Sequence, residues 1–220
     1  MATSNNNSKY VWVFNGSGNG NRFPSGCFTT RDCAIEWIKE YKLFGCLTKY
    51  PLDASAYDWC TNHGYFKPKQ SFETSPAFIQ NFSSRLEHYH FEAEDYEDDE
   101  WLHERFSFEE AQDESECPHD LKHVWVFCGP KGRFPSGCFT SLKHAASWIS
   151  KTGVSGCLTE YPLDISVYDW AINKGYFRKK FPSHDSPEFI QKFSSASMTH
   201  YHIENGSCID FEDIIEKKND

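Results

Sequence analysis

The sequence predicts an α+β protein built from two tandem copies of one small sheet-and-helix domain. The first observation is a repeat: Val11-Trp-Val-Phe14 returns as Val124-Trp-Val-Phe127, and Arg22 to Thr29 returns unchanged as Arg133 to Thr140. Aligned without a gap, residues 22–84 and 133–195 are identical at 36 of 63 positions. Two chains that merely share a fold do not agree so often, so the copies descend from one domain. The second observation is the pattern inside each copy, where short β-prone runs alternate with segments of helical period. The third is charge. Residues 92–120 hold fourteen acids against one base, Arg105, a net of −13 within a chain of net −10, so the remainder is about +3. That segment reads as a solvated connector between two near-neutral folded parts. The expected division is 9–92 for the first copy, 93–121 for the acidic linker, 122–205 for the second copy and 206–220 for a C-terminal tail that adds a partial helix.

Each element of a copy has a local reason. Residues 10–15 form a β-rich run that enters the turn Gly16-Ser-Gly-Asn-Gly-Asn21, and Phe23 to Phe28 is the returning strand of a hairpin. Thr29 with Asp32 matches a capping box. It opens a helix on which Ala34, Ile35, Trp37, Ile38 and Tyr41 share one face, which places Trp37 and its counterpart Trp148 in the core. After Gly45, Cys46 to Tyr50 is a short strand stopped by Pro51. Ser55 with Asp58 is a second capping box, before a short helix that carries Tyr57, Trp59 and Cys60 and ends at Gly64. Ser75-Pro76 supplies an N-cap and an N1 proline to a helix with Phe78, Ile79 and Phe82 on one side. His88-Tyr-His-Phe-Glu92 closes the copy as a strand, repeated as His200-Tyr-His-Ile-Glu204. The order β-β-α-β-α-α-β fits a small antiparallel or mixed sheet with helices on one face.

Composition narrows the function classes. Hydrophobic residues make up 39% and aromatic residues 17%, which is enough for true cores. No run approaches the ~18 apolar residues of a membrane span, and the first residues lack the apolar stretch of a signal peptide. A cytoplasmic location without membrane association is expected. Nine cysteines, an odd number with no CxxC pair, suit a reducing compartment. Clustered Lys/Arg of the kind that binds nucleic acid is absent from the folded parts, so nucleic acid is not the expected partner.

The ordered series Val-Trp-Val-Phe, Phe-Pro-Ser-Gly-x-Phe, Leu-Thr-x-Tyr-Pro-Leu-Asp, Tyr-Asp-Trp, Gly-Tyr-Phe and His-Tyr-His covers about residues 10–92 and 123–204. It resembles a family of small bacterial domains of unknown function. That resemblance implies one fold occurring twice and brings no catalytic residues or cofactor with it. The tandem arrangement and the acidic insert depart from the single copy that such a family leads one to expect.

Each candidate site also has a plain structural role. The glycines of residues 16–20 precede a strand rather than a helix, so a hairpin turn is expected there and not a phosphate cradle. Asp53, Asp58, Asp164 and Asp169 are placed to cap helices. Cys27 and Cys138 lie in a strand beside Phe28 and Phe139; Phe is the expected core residue, which leaves each thiol on the other face. His88 with His90, and His200 with His202, are the metal candidates, because residues i and i+2 of a strand face one side. Two histidines are half a zinc site, and the bland reading is an exposed polar sheet face. The aromatic–basic turn formed by Tyr65, Phe66 and Lys67, and by Tyr176, Phe177 and Arg178, is the preferred binding surface, since tyrosine beside long cations is common at interfaces. The expected function is a pair of non-enzymatic modules that bind a protein, with no catalytic residues and no cofactor. The alternative is a small metal-dependent or cysteine-based hydrolase using the His-x-His strand.

Overall fold

The structure, a computed structural model, describes all residues except 1–8, 19–20, 84, 93–95, 97–116, 119 and 209–220. Most of the acidic linker and the tail beyond Cys208 therefore lie outside the described residues. Copy 1 contains β1 (Tyr10–Gly16), β2 (Gly26–Phe28), α1 (Arg31–Tyr41), β3 (Gly45–Pro51), β4 (Ala54–Ser55), α2 (Ala56–Asn62), a 3-10 turn (Ser71–Thr74), α3 (Pro76–Ile79) and β5 (His88–Phe91). Copy 2 repeats the series as β6 (His123–Cys128), β7 (Gly137–Phe139), α4 (Leu142–Thr152), β8 (Gly156–Pro162), β9 (Ile165–Ser166), α5 (Val167–Asn173), a 3-10 turn (Pro182–Asp185), α6 (Pro187–Ile190) and β10 (His200–Ile203). The fold is α+β, with two five-stranded antiparallel sheets.

The sheet order is where the structure goes beyond the sequence. One sheet runs β5-β3-β1-β2-β9 and the other β10-β8-β6-β7-β4. Each is completed by a two-residue strand from the opposite copy. Ala54 and Ser55 pair with Cys138 and Gly137, and Ser166 pairs with Gly26. The exchange continues into the helices. Ala56, Tyr57, Cys60, Ile79 and Phe82 of copy 1 are buried with Trp125, Phe127, Phe139 and Trp148 of copy 2. Tyr168 and Ile190 of copy 2 join Phe14, Phe28, Trp37 and Leu47 of copy 1 in return. The second faces of both sheets meet as well, since Val11, Val13, Cys27 and Tyr50 share a cluster with Val124, Val126, Cys138 and Tyr161. Each sheet is thus covered on both sides, by helices on one and by the other sheet on the other.

Several local expectations need correction. The second strand begins at Gly26 rather than Phe23, because Ser25 turns its hydroxyl onto the Gln191 carbonyl of the opposite copy. The N-cap of α1 is Thr30, which accepts the Cys33 N–H at 3.2 Å, and not Thr29. Thr29 is engaged elsewhere: its N–H and hydroxyl both donate to Asp164 of copy 2, at 2.7 and 3.0 Å. Asp53 does the same for Thr140, at 2.8 and 3.0 Å. These aspartates therefore anchor the turn that enters the other copy's long helix. Ser55 caps α2 by accepting the Asp58 N–H at 3.0 Å, but the Asp58 carboxylate takes the Ser55 hydroxyl at 2.6 Å rather than the Ser55 backbone N–H, so only half of the expected box forms; Ser75 caps α3 ahead of Pro76. Trp37 and Trp148 are buried at 8% and 9% exposure, as the helical face requires.

Candidate functional site

The aromatic–basic turn is built by the end of α2. Gly64 takes φ +75°, open to glycine without strain, and Tyr65 and Phe66 N–H groups both return to the Cys60 carbonyl at 2.9 and 3.1 Å. A Cβ at Gly64 or Gly175 would meet nothing within 4 Å, so the backbone conformation and not space selects glycine there. The turn sorts the two rings. Phe66 goes inward, its centroid 5.0 Å from Phe82 and 5.8 Å from Tyr57. Tyr65 goes outward and stacks on Trp59 at 5.4 Å, with His63 4.4 Å from the same indole. Copy 2 repeats the device: Gly175 has φ +75°, Phe177 lies 4.9 Å from Phe193, and Tyr176 covers Trp170 at 5.4 Å. Tyr65 and Tyr176 are 58% and 59% exposed, and Lys67 and Arg178 beside them are exposed too.

Of the six residues expected at this surface, Phe66 and Phe177 thus serve the core with one edge each, and the other four face solvent. The wider aromatic set splits in the same way. Tyr50 and Tyr161 are core, and the Tyr50 hydroxyl donates to the Pro135 carbonyl of copy 2 at 3.0 Å. Two exposed rings were missed, Phe72 at 54% and Phe181 at 62%. Phe72 lies within the 3-10 turn of copy 1 and Phe181 just before that of copy 2, positions that do not align between the copies, so the repeat carries no signal for them.

The histidine pairs lie where the strand period puts them. The rings of His88 and His90 are 5.1 Å apart, and those of His200 and His202 are 5.3 Å apart, each pair edge to face. Nδ1 of His88 donates to the Leu86 carbonyl at 2.8 Å, and His200 to Met198 at 2.8 Å, which fixes the tautomer and leaves Nε2 pointing away. Among the described residues no group of three or more His, Cys, Asp or Glu could hold a metal ion.

Cys27 and Cys138 do sit on the opposite sheet face from Phe28 and Phe139, but that face is closed by the other copy. Both are buried, and burial first, then a neighbouring thiol (Cys128 for Cys27, Cys27 for Cys138), pushes each well above the ordinary range. Cys60 is likewise pushed up to about 11 by burial. A thiol so held carries little thiolate. None of the nine cysteines is in a disulfide, and Cys33 is the exposed one. No helix among the described residues is long and apolar enough to cross a membrane.

Comparison with known proteins returned no match among curated proteins and none among solved structures. A family model described as "Domain of unknown function (DUF7710)" matches residues 11–97 and again residues 124–209, most of both copies. The chain therefore belongs to this family of domains of unknown function and carries the domain twice.

Proposed function

We propose that the chain is a non-enzymatic binding protein whose partner is an acidic protein segment with apolar side chains. The observation that carries this reading is the exposed tyrosine against a tryptophan in both copies, Tyr65 stacked on Trp59 and Tyr176 tilted at 47° against Trp170, each with ring centroids 5.4 Å apart. A large ring left more than half exposed on a second ring has a pre-ordered shape and loses little entropy on binding. Lys67 and Arg178 stand at its edge and supply charge that an acidic segment complements. Two such surfaces on one interlocked body can engage a partner twice and gain through effective concentration. The hydrolase alternative has thinner support, because the Cys27 and Cys138 thiols are held protonated and the histidine pairs have no third ligand among the described residues. Nine free thiols suit a reducing, cytoplasmic setting.

Selection from a displayed random peptide library on the full chain, with counter-selection on the Tyr65→Ala/Tyr176→Ala variant, tests this reading. Acidic peptides bearing Leu, Phe or Trp should be enriched on the parent and lost on the variant. Enrichment of basic peptides, or equal capture by both proteins, contradicts it. Both tyrosines are exposed, so circular dichroism of the variant should be unchanged.

A further inference from the structure

A second feature, independent of the aromatic turns, is a groove built jointly by the two copies. Its floor is the edge strand β10 and the neighbouring β8, where the exposed His200 lies opposite the buried Thr159 and the exposed His202 opposite the buried Cys157. Its wall is Phe23 of copy 1, with Arg22 next along the chain. Two cavities of about 200 and 350 Å³ open along it and share Phe23, Cys157 and His202; the larger also reaches Arg22 and Glu204. The Arg22 guanidinium lies 5.4 Å from the Phe23 ring centroid, and it makes no ion pair or hydrogen bond among the described residues. Its charge is nevertheless felt at the Cys157 thiol, as that of Arg133 is felt at Cys46.

Comparison of the two copies separates this set from ordinary surface. On the exposed side of the long helices, Asp32, Glu36 and Glu40 of copy 1 correspond to Lys143, Ser147 and Lys151 of copy 2. Solvated positions have thus been free to change, even in sign of charge. Yet the exposed Arg22, His200 and His202 all recur as Arg133, His88 and His90, over the same Thr and Cys on the neighbouring strand. No core packing explains exposed histidines and an exposed arginine held in common.

We infer that the groove between Arg22–Phe23 of copy 1 and the His200/His202 strand of copy 2 binds a small oxyanion, a phosphate or carboxylate group. The guanidinium offers paired N–H donors and a permanent charge. His202 can add a ring N–H donor, and His200, whose Nδ1–H is already given to the Met198 carbonyl, adds one through Nε2 in its imidazolium form, where the bond is charge-assisted and correspondingly strong. A cation is disfavoured, because Arg22 would repel it and the described residues supply no third metal ligand. Glu204, which also lines the larger cavity, suits a hydroxyl or amine donor on the rest of the ligand.

The experiment is a titration of the full chain with sodium phosphate, sodium citrate and, at matched ionic strength, sodium chloride, read from the histidine ring resonances by NMR. The His200 and His202 signals, assigned through His200→Gln and His202→Gln, should move and saturate with phosphate or citrate and stay still with chloride. Saturation by phosphate alone or by citrate alone identifies the preferred oxyanion. Arg22→Gln, at an exposed position, should weaken binding about tenfold or more, whereas Arg133→Gln should leave these signals unaffected. Shifts that never saturate, that chloride reproduces, or that survive Arg22→Gln unchanged would overturn the inference. So would saturable zinc binding at these histidines without any response to the anions.

Discussion

At the scale of single residues, the join between the copies rests on contacts that a reader of one copy has no means to foresee. Gln191 is buried; its side chain accepts the Phe44 N–H at 2.9 Å and donates to the Ser17 carbonyl at 3.1 Å, while its own carbonyl receives the Ser25 hydroxyl. Gln80 mirrors it toward Ser155 and Ser136. The close approach explains two glycines. A Cβ on Gly16 would stand 2.0 Å from the Gln191 carbonyl oxygen, and one on Gly129 1.8 Å from that of Gln80. The sequence places Gly16 at the start of a turn, whereas it ends β1 and its constraint comes from Gln191, 175 positions away. Gly16→Ala and Gly129→Ala should each destabilise the chain by about 1–3 kcal/mol, the usual cost of overpacking, as measured by urea denaturation. A change within a few tenths would show that the two carbonyls give way. Tyr50→Phe should cost about 1–3 kcal/mol by stranding the buried Pro135 carbonyl, again through a partner in the other copy.

At the scale of elements, what was legible is what is local. Long amphipathic α1 and α4, the Ser55–Asp58 and Ser75–Pro76 caps and the His-x-His strands all declare themselves within a few residues of sequence. β4 and β9 do not. A strand of two residues has no period to read, and its hydrogen-bonding partner belongs to the other copy. The aspartate just before it is equally silent. Asp53 and Asp164 stand at φ 60° and 59°, a region where aspartate is tolerated better than most residues, and each carboxylate caps the opposite copy's helix entry. Two contributions can be separated by substitution. Asp53→Ala loses the carboxylate and strains the backbone, and should cost about 1–2 kcal/mol. Asp53→Gly loses only the carboxylate and should cost less. Equal losses in denaturant titrations would mean that the backbone conformation at this position carries no strain.

At the scale of the whole molecule, the exchange of β4, α2 and α3 for β9, α5 and α6 makes the two copies one cooperative body. The repeat itself does not reveal this, because a segment packed on its own sheet and the same segment packed on its twin make the same contacts, and the sequence is satisfied either way. Cleavage in the acidic linker should therefore leave two fragments that elute together, whereas elution apart as folded pieces would mean that each copy takes back its own segment. The stronger test uses residues 122–208 alone. That fragment would lack the fifth strand of its sheet, would expose the face carrying Val124, Val126, Cys138 and Tyr161, and would lose Tyr57, Cys60, Ile79 and Phe82 from around Trp148. It still owns β9, α5 and α6, which are the twins of what it has lost. A second molecule of the same fragment can supply those elements reciprocally, which is the geometry of a closed two-fold dimer. Light scattering should therefore give twice the fragment's mass. Its unfolding midpoint should rise with concentration, while that of the full chain, where the linker holds the partners together, should not. A folded monomer with a concentration-independent midpoint would show that the segment can close on its own sheet, and the interlock would then be a choice made by the linked chain rather than a requirement of the fold.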